Sequence, residues 1–148
     1  MERNVRLVRR NLATQAVIAD GIVNQGSVIR RFFNGCTCNR PIVAEGDGTT
    51  INATGMYKIE VEATFTAPVA GDVTLQLFEN GVAIDGAFAT ETITTATTEV
   101  RSVAFSTYVI VDQTKVLGIC AITPKTYTLV NTGVGATFTR VQVADNNV

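Results

Sequence analysis

Histidine and tryptophan are absent from this 148-residue chain, and charged residues make up only 17% of it. Without histidine the chain has no Ser-His or Cys-His nucleophile pair, no histidine metal site and no imidazole general base. The chain also contains no Gly-x-Gly-x-x-Gly, phosphate-loop or Gly-x-Ser-x-Gly motif. We therefore predict that it has no catalytic, cofactor-binding or metal site and is not an enzyme.

The carboxylates Glu60 and Glu62 are the most noticeable acidic pair in the sequence. They are two positions apart in a segment with strand periodicity, so both side chains point to the same face. That face is otherwise polar, which is typical of a solvated surface rather than of a paired acid and base.

Long apolar runs are also missing, so we expect no membrane-spanning helix, which needs about 20 consecutive apolar residues. The first six residues, Met-Glu-Arg-Asn-Val-Arg, lack the apolar segment of a secretory signal peptide. We expect the chain to be made in a cytoplasm.

Cysteine is scarce, and the three copies at Cys36, Cys38 and Cys120 form an odd number. The Cys36-x-Cys38 spacing is too tight for an ordinary disulfide between the two. Copies brought together at a symmetry axis would allow a metal site or an inter-chain bond. The simpler interpretation is that all three are reduced and serve as small apolar side chains.

Charge is distributed unevenly along the chain. Residues 1–40 carry a net charge of +5 and residues 41–148 a net charge of −6. The first 13 residues alternate arginines with apolar side chains, a spacing that fits either a short helix or an extended arm. We predict an arm over residues 1–13 that docks on another protein, the alternative being a solvated tail. It has no aromatic side chain for base stacking, so we expect no direct nucleic-acid contact. The proposed anchor residues are Arg3, Arg6, Arg9 and Arg10.

The strongest structural signal is strict alternation between Tyr57 and Ala67, where odd positions are apolar and even positions are polar. A period of two indicates a β-strand with one buried face. The alternation resumes over residues 73–77, and the Asn80-Gly81 pair that follows predicts a tight hairpin. The segment is typical of an antiparallel sandwich.

Two later segments have apolar residues on both faces. Residues 100–111 alternate, but their second face carries Ala104, Tyr108 and Ile110, and residues 115–122 have no polar face after Lys115. A strand that is apolar on both sides needs a cover on each side. We predict that a second copy of the chain provides one of these covers.

Several of these motifs resemble the jelly-roll domain of the tumour necrosis factor and complement globular-head superfamily, in particular its bacteriophage and bacterial versions. The shared order is Val-Ile-Arg-Arg-Phe (28–32), a Cys-rich turn, a Gly-x-Tyr strand, a Leu-x-x-Asn-Gly-Val hairpin and a Thr-rich run, over residues 14–143. The resemblance implies an all-β antiparallel β-sandwich over residues 14–148, behind the arm. It also implies a homotrimer.

In the resembling family, aromatic and aliphatic residues of the inner sheet lie at the trimer axis. The resemblance therefore implies interface positions at six residues, although several of them, Phe105 above all, also suit the core of a single chain. These residues are Tyr57, Phe105, Tyr108, Leu117, Ile119 and Phe138.

The function implied by the resemblance is that of a virion structural protein. We expect a homotrimer that decorates or cements a bacteriophage capsid, with the major capsid protein or another virion protein as its partner. The alternative is a carbohydrate- or receptor-binding head of a phage fibre or cell-surface protein, because jelly rolls often serve as lectins. A bacterial module with a collagenous neighbour is less well supported, since the chain has no Gly-x-y repeat.

Overall fold

A computed structural model describes residues 5–18, 21–33, 41–121 and 127–143 of the chain. Over these residues it contains twelve β-strands and no helix. In chain order the strands are β1 (Val5–Asn11), β2 (Gln15–Val17), β3 (Ile22–Val23), β4 (Ser27–Phe33), β5 (Ile42–Glu45), β6 (Gly48–Ile51), β7 (Gly55–Thr66), β8 (Gly71–Glu79), β9 (Val82–Ile93), β10 (Arg101–Val111), β11 (Lys115–Ala121) and β12 (Tyr127–Val143).

The strands form two six-stranded antiparallel sheets. Sheet A has the order β10-β7-β12-β1-β4, with β2 beside β12, and sheet B has the order β5-β6-β11-β8-β9, with β3 beside β11. Neighbours in each sheet are mostly distant in sequence, as in a jelly roll, where the chain passes repeatedly between the two sheets. In the described parts of the chain, no helix is long and apolar enough to cross a lipid bilayer.

The core lies between the two sheets and is built from alternate residues of their strands. The alternation predicted over residues 57–67 is confirmed, because Tyr57, Ile59, Val61, Ala63 and Phe65 are all buried on β7. The apolar positions of β8 and the inward positions of β10 pack against them from the same core. The predicted all-β antiparallel sandwich is therefore confirmed.

The hairpin between β8 and β9 is also where the sequence predicts it. Asn80 and Gly81 have φ angles of 50° and 81°, the left-handed conformation required at both central positions of this turn. The turn is tied to β11, since the Asn80 amide donates to the Val116 carbonyl and the Val116 amide donates to Asn80 Oδ1, both at 2.8 Å.

The N-terminal segment differs from the expected arm. Residues 5–11 form β1, which pairs with β12 on one side and β4 on the other, inside sheet A. Val5, Leu7 and Arg9 point into the protein, whereas Arg6, Val8 and Arg10 lie on the other face. The arginine at an inward position hides the alternation from sequence analysis, because a strand pattern normally requires an apolar residue there.

Candidate functional site

Sheet A has a face that points away from the core, which we call the outer face. It is formed by the alternate residues of β4, β1, β12, β7 and β10 that do not enter the core. Register places its residues in rows that run across the sheet. One row consists of Tyr108, Lys58, Thr139, Arg6 and Phe32.

The β10 end of the outer face is apolar. Tyr108 and Ile110, two positions apart on β10, are 59% and 70% exposed. They lie opposite Lys58 and Met56 of β7, which extend the same surface. Adjacent exposed apolar side chains are typical of an association surface.

The middle of the outer face carries charges that neutralise one another. Glu62 lies across Gly135 from Arg10, and the Arg10 Nη2 to Glu62 Oε1 distance is 3.7 Å. Both side chains are partly solvated, so this ion pair contributes only about 0–1 kcal/mol. Glu60 and Glu62 both lie on this exposed face, in agreement with the sequence analysis. A shallow depression of about 240 Å³ lies here, lined by Arg10, Glu60, Glu62 and Gly135 among others.

The six predicted trimer residues fall into two groups. Tyr108 is exposed on the outer face, and Phe105 is half-buried and packs against the core. The other four have no exposed surface for a second copy to contact, and the structure assigns them to the core of the single chain. The four are Tyr57, Leu117, Ile119 and Phe138. Their apolar character is equally compatible with a core and with an interface, so sequence alone did not separate the two.

The four predicted anchor arginines also differ from one another. Arg3 lies outside the described residues, Arg6 is exposed on the outer face, and Arg10 pairs with Glu62. Arg9 is only 3% exposed and points into the protein. Arg9 is therefore unable to contact a partner as an anchor.

Arg9 instead connects β1 to two loops. Its Nε donates to the Gly26 carbonyl at 2.9 Å, its Nη2 donates to the Gly46 carbonyl at 2.9 Å, and its Nη1 donates to the Gly48 carbonyl. Burial lowers the pKa of Arg9, and the nearby charge of Asp47 partly opposes that shift. Sequence analysis missed this role; the only signal was the recurrence of glycines in the two loops, which lets their backbones approach a buried side chain.

The predictions made for the three cysteines fall mostly outside the described residues. Cys36 and Cys38 lie outside them, and so does the side chain of Cys120. The backbone of Cys120 belongs to β11, where it pairs with Ile22 of β3 and Gln76 of β8.

Fold and surface together define a class: an all-β jelly-roll sandwich whose outer face carries exposed apolar side chains at its β10 end. Neither a protein-family model nor a curated protein matches the sequence. Among solved structures, Eiger TNF from S. frugiperda is similar at a TM-score of 0.62 and 12% identity, over 98% of this chain and 96% of that one. Murine APRIL at pH 8.5 is similar at a TM-score of 0.69 and 12% identity, over 93% of this chain and 99% of that one.

These similarities extend over nearly the whole length of both chains. The chain therefore has the jelly-roll fold of tumour-necrosis-factor-like domains. At 12% identity the likeness concerns the fold, and it does not carry over what those proteins do.

Proposed function

We propose that the chain is a non-enzymatic structural protein that assembles as a homotrimer through the outer face of sheet A. The observation that carries this proposal is the exposure of Tyr108 and Ile110 side by side on β10. Removing apolar surface from water stabilises an assembly by about 25 cal/mol per Å². Further copies of the chain can cover this apolar surface, because a ring of three copies buries this end of every protomer.

We further propose that the trimer belongs to a bacteriophage virion and sits on the capsid. The support is the order of motifs shared with phage-type jelly rolls, together with the excess of arginine in residues 1–40. Two of the four arginines expected to anchor the chain are left out of this proposal, because Arg9 is internal and Arg10 is paired within the chain. The surface proposed to contact the shell is the part of the outer face where the exposed Arg6 of β1 and Arg30 of β4 lie.

The oligomeric state tests the first proposal directly. Light scattering on the purified chain should give three times the 15.8 kDa chain mass. Ile110→Glu should give a single chain mass, since burying a carboxylate in an apolar contact costs several kcal/mol. Circular dichroism should show that the variant keeps its strands, because Ile110 is exposed in the single chain.

Val82→Glu is the matched control. Val82 is 69% exposed, almost the same as Ile110, but it lies at the start of β9 in sheet B. This variant should remain trimeric. Dissociation by both variants would show that the effect is not specific to the outer face, and a monomeric wild-type chain would refute the trimer.

The location in the virion is tested separately by electron microscopy of phage particles that carry the gene, labelled with an antibody against this chain. Label distributed over the capsid is the expected result. Label confined to fibre tips would refute the capsid assignment and favour a receptor- or carbohydrate-binding head.

A further inference from the structure

Sheet B has its own surface on the side away from the core, and the middle of that surface is apolar. Gly118 of β11 lies opposite Phe78 of β8, and Phe78 lies opposite Ala83 of β9. This row faces outward, because the residues that flank Gly118 along β11 are both buried. The next outward row ends at Ile22 of β3 on one side and at Phe88 of β9 on the other. We call this region the sheet B patch, formed by Ile22, Phe78, Ala83, Phe88, Val116 and Gly118.

The sheet B patch is exposed in the single chain and has a gap at its centre. Ile22 is 59% exposed, Phe88 is 49% exposed and Val116 is 45% exposed. A methyl group placed on the Cα of Gly118 would meet no atom of a distant residue within 4 Å. Neighbouring exposed apolar side chains are typical of an interaction surface. The gap between them is a position where a side chain of a partner fits.

The polar side chain within the patch does not interrupt it. Gln76 is only 6% exposed, and its amide nitrogen donates to the carbonyls of Ile84 at 2.7 Å and Ala87 at 3.1 Å. These bonds hold a bulge of β9, where the register with β8 shifts. A bulge protects an edge strand against pairing with a further strand. A partner therefore contacts this surface through side chains rather than by extending the sheet.

The charges around the patch have one sign. The backbone position of Lys115, the one lysine of these strands, lies across from the buried Ile51 and therefore on the other side of the sheet. Every charged side chain that the structure describes on the strands of sheet B is a carboxylate, namely Glu45, Asp72, Glu79, Asp85 and Glu91.

Three of these carboxylates have no described cation beside them. Glu45 accepts a hydrogen bond from the Thr50 hydroxyl at 2.7 Å, and Asp72 accepts one from the Thr92 hydroxyl at 2.6 Å. Neither of them, nor the exposed Asp85, belongs to an ion pair among the described residues. The patch is thus an apolar surface with a negatively charged rim.

We infer that the sheet B patch binds an extended basic segment of a partner protein, with large apolar side chains between its lysines or arginines. The apolar centre and the acidic rim are complementary to such a segment. The same rim repels the phosphates of nucleic acids and anionic lipid headgroups. From β5 to β9 the sheet is about 19 Å wide, four strand spacings of about 4.8 Å, which six or seven extended residues span.

Calorimetry on the full-length chain tests this inference with the capped peptide Lys-Leu-Lys-Phe-Lys-Leu-Lys. A dissociation constant below about 100 μM is expected. Glu-Leu-Glu-Phe-Glu-Leu-Glu, with the same apolar residues and the opposite charge, should not bind. Lys-Ser-Lys-Ser-Lys-Ser-Lys, which keeps only the charge, should bind at least about tenfold more weakly. Equal binding of both lysine peptides would mean attraction to net charge and would overturn the inference, as would the absence of heat with the first peptide.

Single substitutions locate the binding. Val116→Ser, which removes apolar surface, and Gly118→Gln, which fills the gap, should each weaken binding by about tenfold. The open space around Gly118 lets the second variant fold, which circular dichroism checks. Val69→Ser is the matched control, because Val69 is 55% exposed but lies between β7 and β8, outside the patch. It should change the affinity by less than about twofold, and equal weakening by this control would overturn the site.

Two further variants separate charge and oligomeric state from the apolar contact. Glu45→Gln keeps an acceptor for the Thr50 hydroxyl but removes the charge, so it should weaken binding and reduce its dependence on salt. Ile110→Glu, on the opposite sheet, should bind the peptide like the wild-type chain, so this inference is independent of the proposed trimer. Growth of the particle mass with protein concentration that Val116→Ser abolishes would assign the patch to a second copy of the chain and overturn the basic partner.

Discussion

At the scale of single residues, Arg9 is the residue whose role in the structure differs most from the role predicted from the sequence. In the sequence it is one of four arginines near the N-terminus. In the fold its guanidinium group satisfies the carbonyl of Gly26, in the loop before β4, and the carbonyls of Gly46 and Gly48, at the turn between β5 and β6. The buried side chains of Gln25 and Thr49 also lie within hydrogen-bonding distance of it. One side chain thus links strand β1 to both loops.

Replacing Arg9 with alanine should lower the free energy of unfolding by about 3 kcal/mol or more. Hydrogen bonds to a charged donor contribute about 1.5–3 kcal/mol each, and their loss leaves buried carbonyls without a donor. Urea unfolding monitored by circular dichroism measures the change. Arg9→Lys should recover only part of the loss, since an ammonium group is unable to reach three carbonyls in the geometry of a guanidinium fork.

Arg10→Ala provides the comparison for this prediction. Arg10 is the next residue on the same strand, and its only described ion pair is the solvated contact with Glu62. Its removal should change the stability by less than about 1 kcal/mol. If Arg9→Ala were as mild as Arg10→Ala, the buried network would not hold the loops to β1.

At the scale of elements, the connection between β9 and β10 depends on one carboxylate. Glu99 Oε1 accepts hydrogen bonds from the Thr94 and Thr95 amides at 2.6 and 2.7 Å, and Arg101 Nε donates to its Oε2 at 2.6 Å. These donors lower the pKa of Glu99 to about 2, with the backbone amide of Thr95 as the largest cause. The loop is therefore ordered by a charged cap, although it is exposed.

The structure of this loop should depend on pH in a defined window. Because the pKa of Glu99 is lower in the folded chain, its contribution is complete above the ordinary value of 4.5 and is lost as the pH falls through about 2. An NMR titration of the Glu99 carboxyl carbon should have its midpoint at about 2. A midpoint near 4.5 would contradict the cap.

The Arg101→Ala variant separates the donors of that cap. Arg101 is the smallest of the causes that lower the pKa of Glu99, behind the two threonines. Its removal should leave the midpoint of the Glu99 titration well below 4.5. Thr95→Pro, which removes the amide donor, should raise the midpoint further than Arg101→Ala does.

At the scale of the whole molecule, the N-terminal segment is part of the domain rather than an attachment to it. β1 lies between β12 and β4, and its Val5 and Leu7 belong to the common core. Removal of such a strand would expose the edges of both neighbours and open the core.

Deleting residues 1–12 should therefore unfold the domain. The deletion removes two core side chains worth about 1.5–3 kcal/mol each, the Arg9 network and a full strand ladder. Together these losses approach the 5–15 kcal/mol of a typical domain. Circular dichroism should show the loss of sheet signal. The double variant Arg6→Ala/Arg10→Ala, which keeps the strand but removes the outward charge, should stay folded. A truncated chain that melts cooperatively like the full chain would support a detachable arm.

The parts of the fold that sequence analysis predicted well are those with local signals. The alternation of β7 and the Asn80-Gly81 turn are set by neighbouring residues, because side chains alternate along a strand and this turn requires positive φ angles. The candidate site was predicted less well. Tyr108, Leu117 and Phe138 were all expected at a trimer interface; Tyr108 is exposed, whereas Leu117 and Phe138 are core residues.

The sequence by itself determined that this protein is an antiparallel β-sandwich without a histidine-based active site. Those properties depend on composition and on a period of two in the sequence. Both can be read without knowing which parts of the chain are in contact. Only the tertiary structure decided that β1 pairs with β12, that Arg9 is internal, and that Leu117 and Phe138 belong to the core of the single chain. Strand order and register are set by contacts between residues distant in the chain, and local patterns carry no record of those contacts.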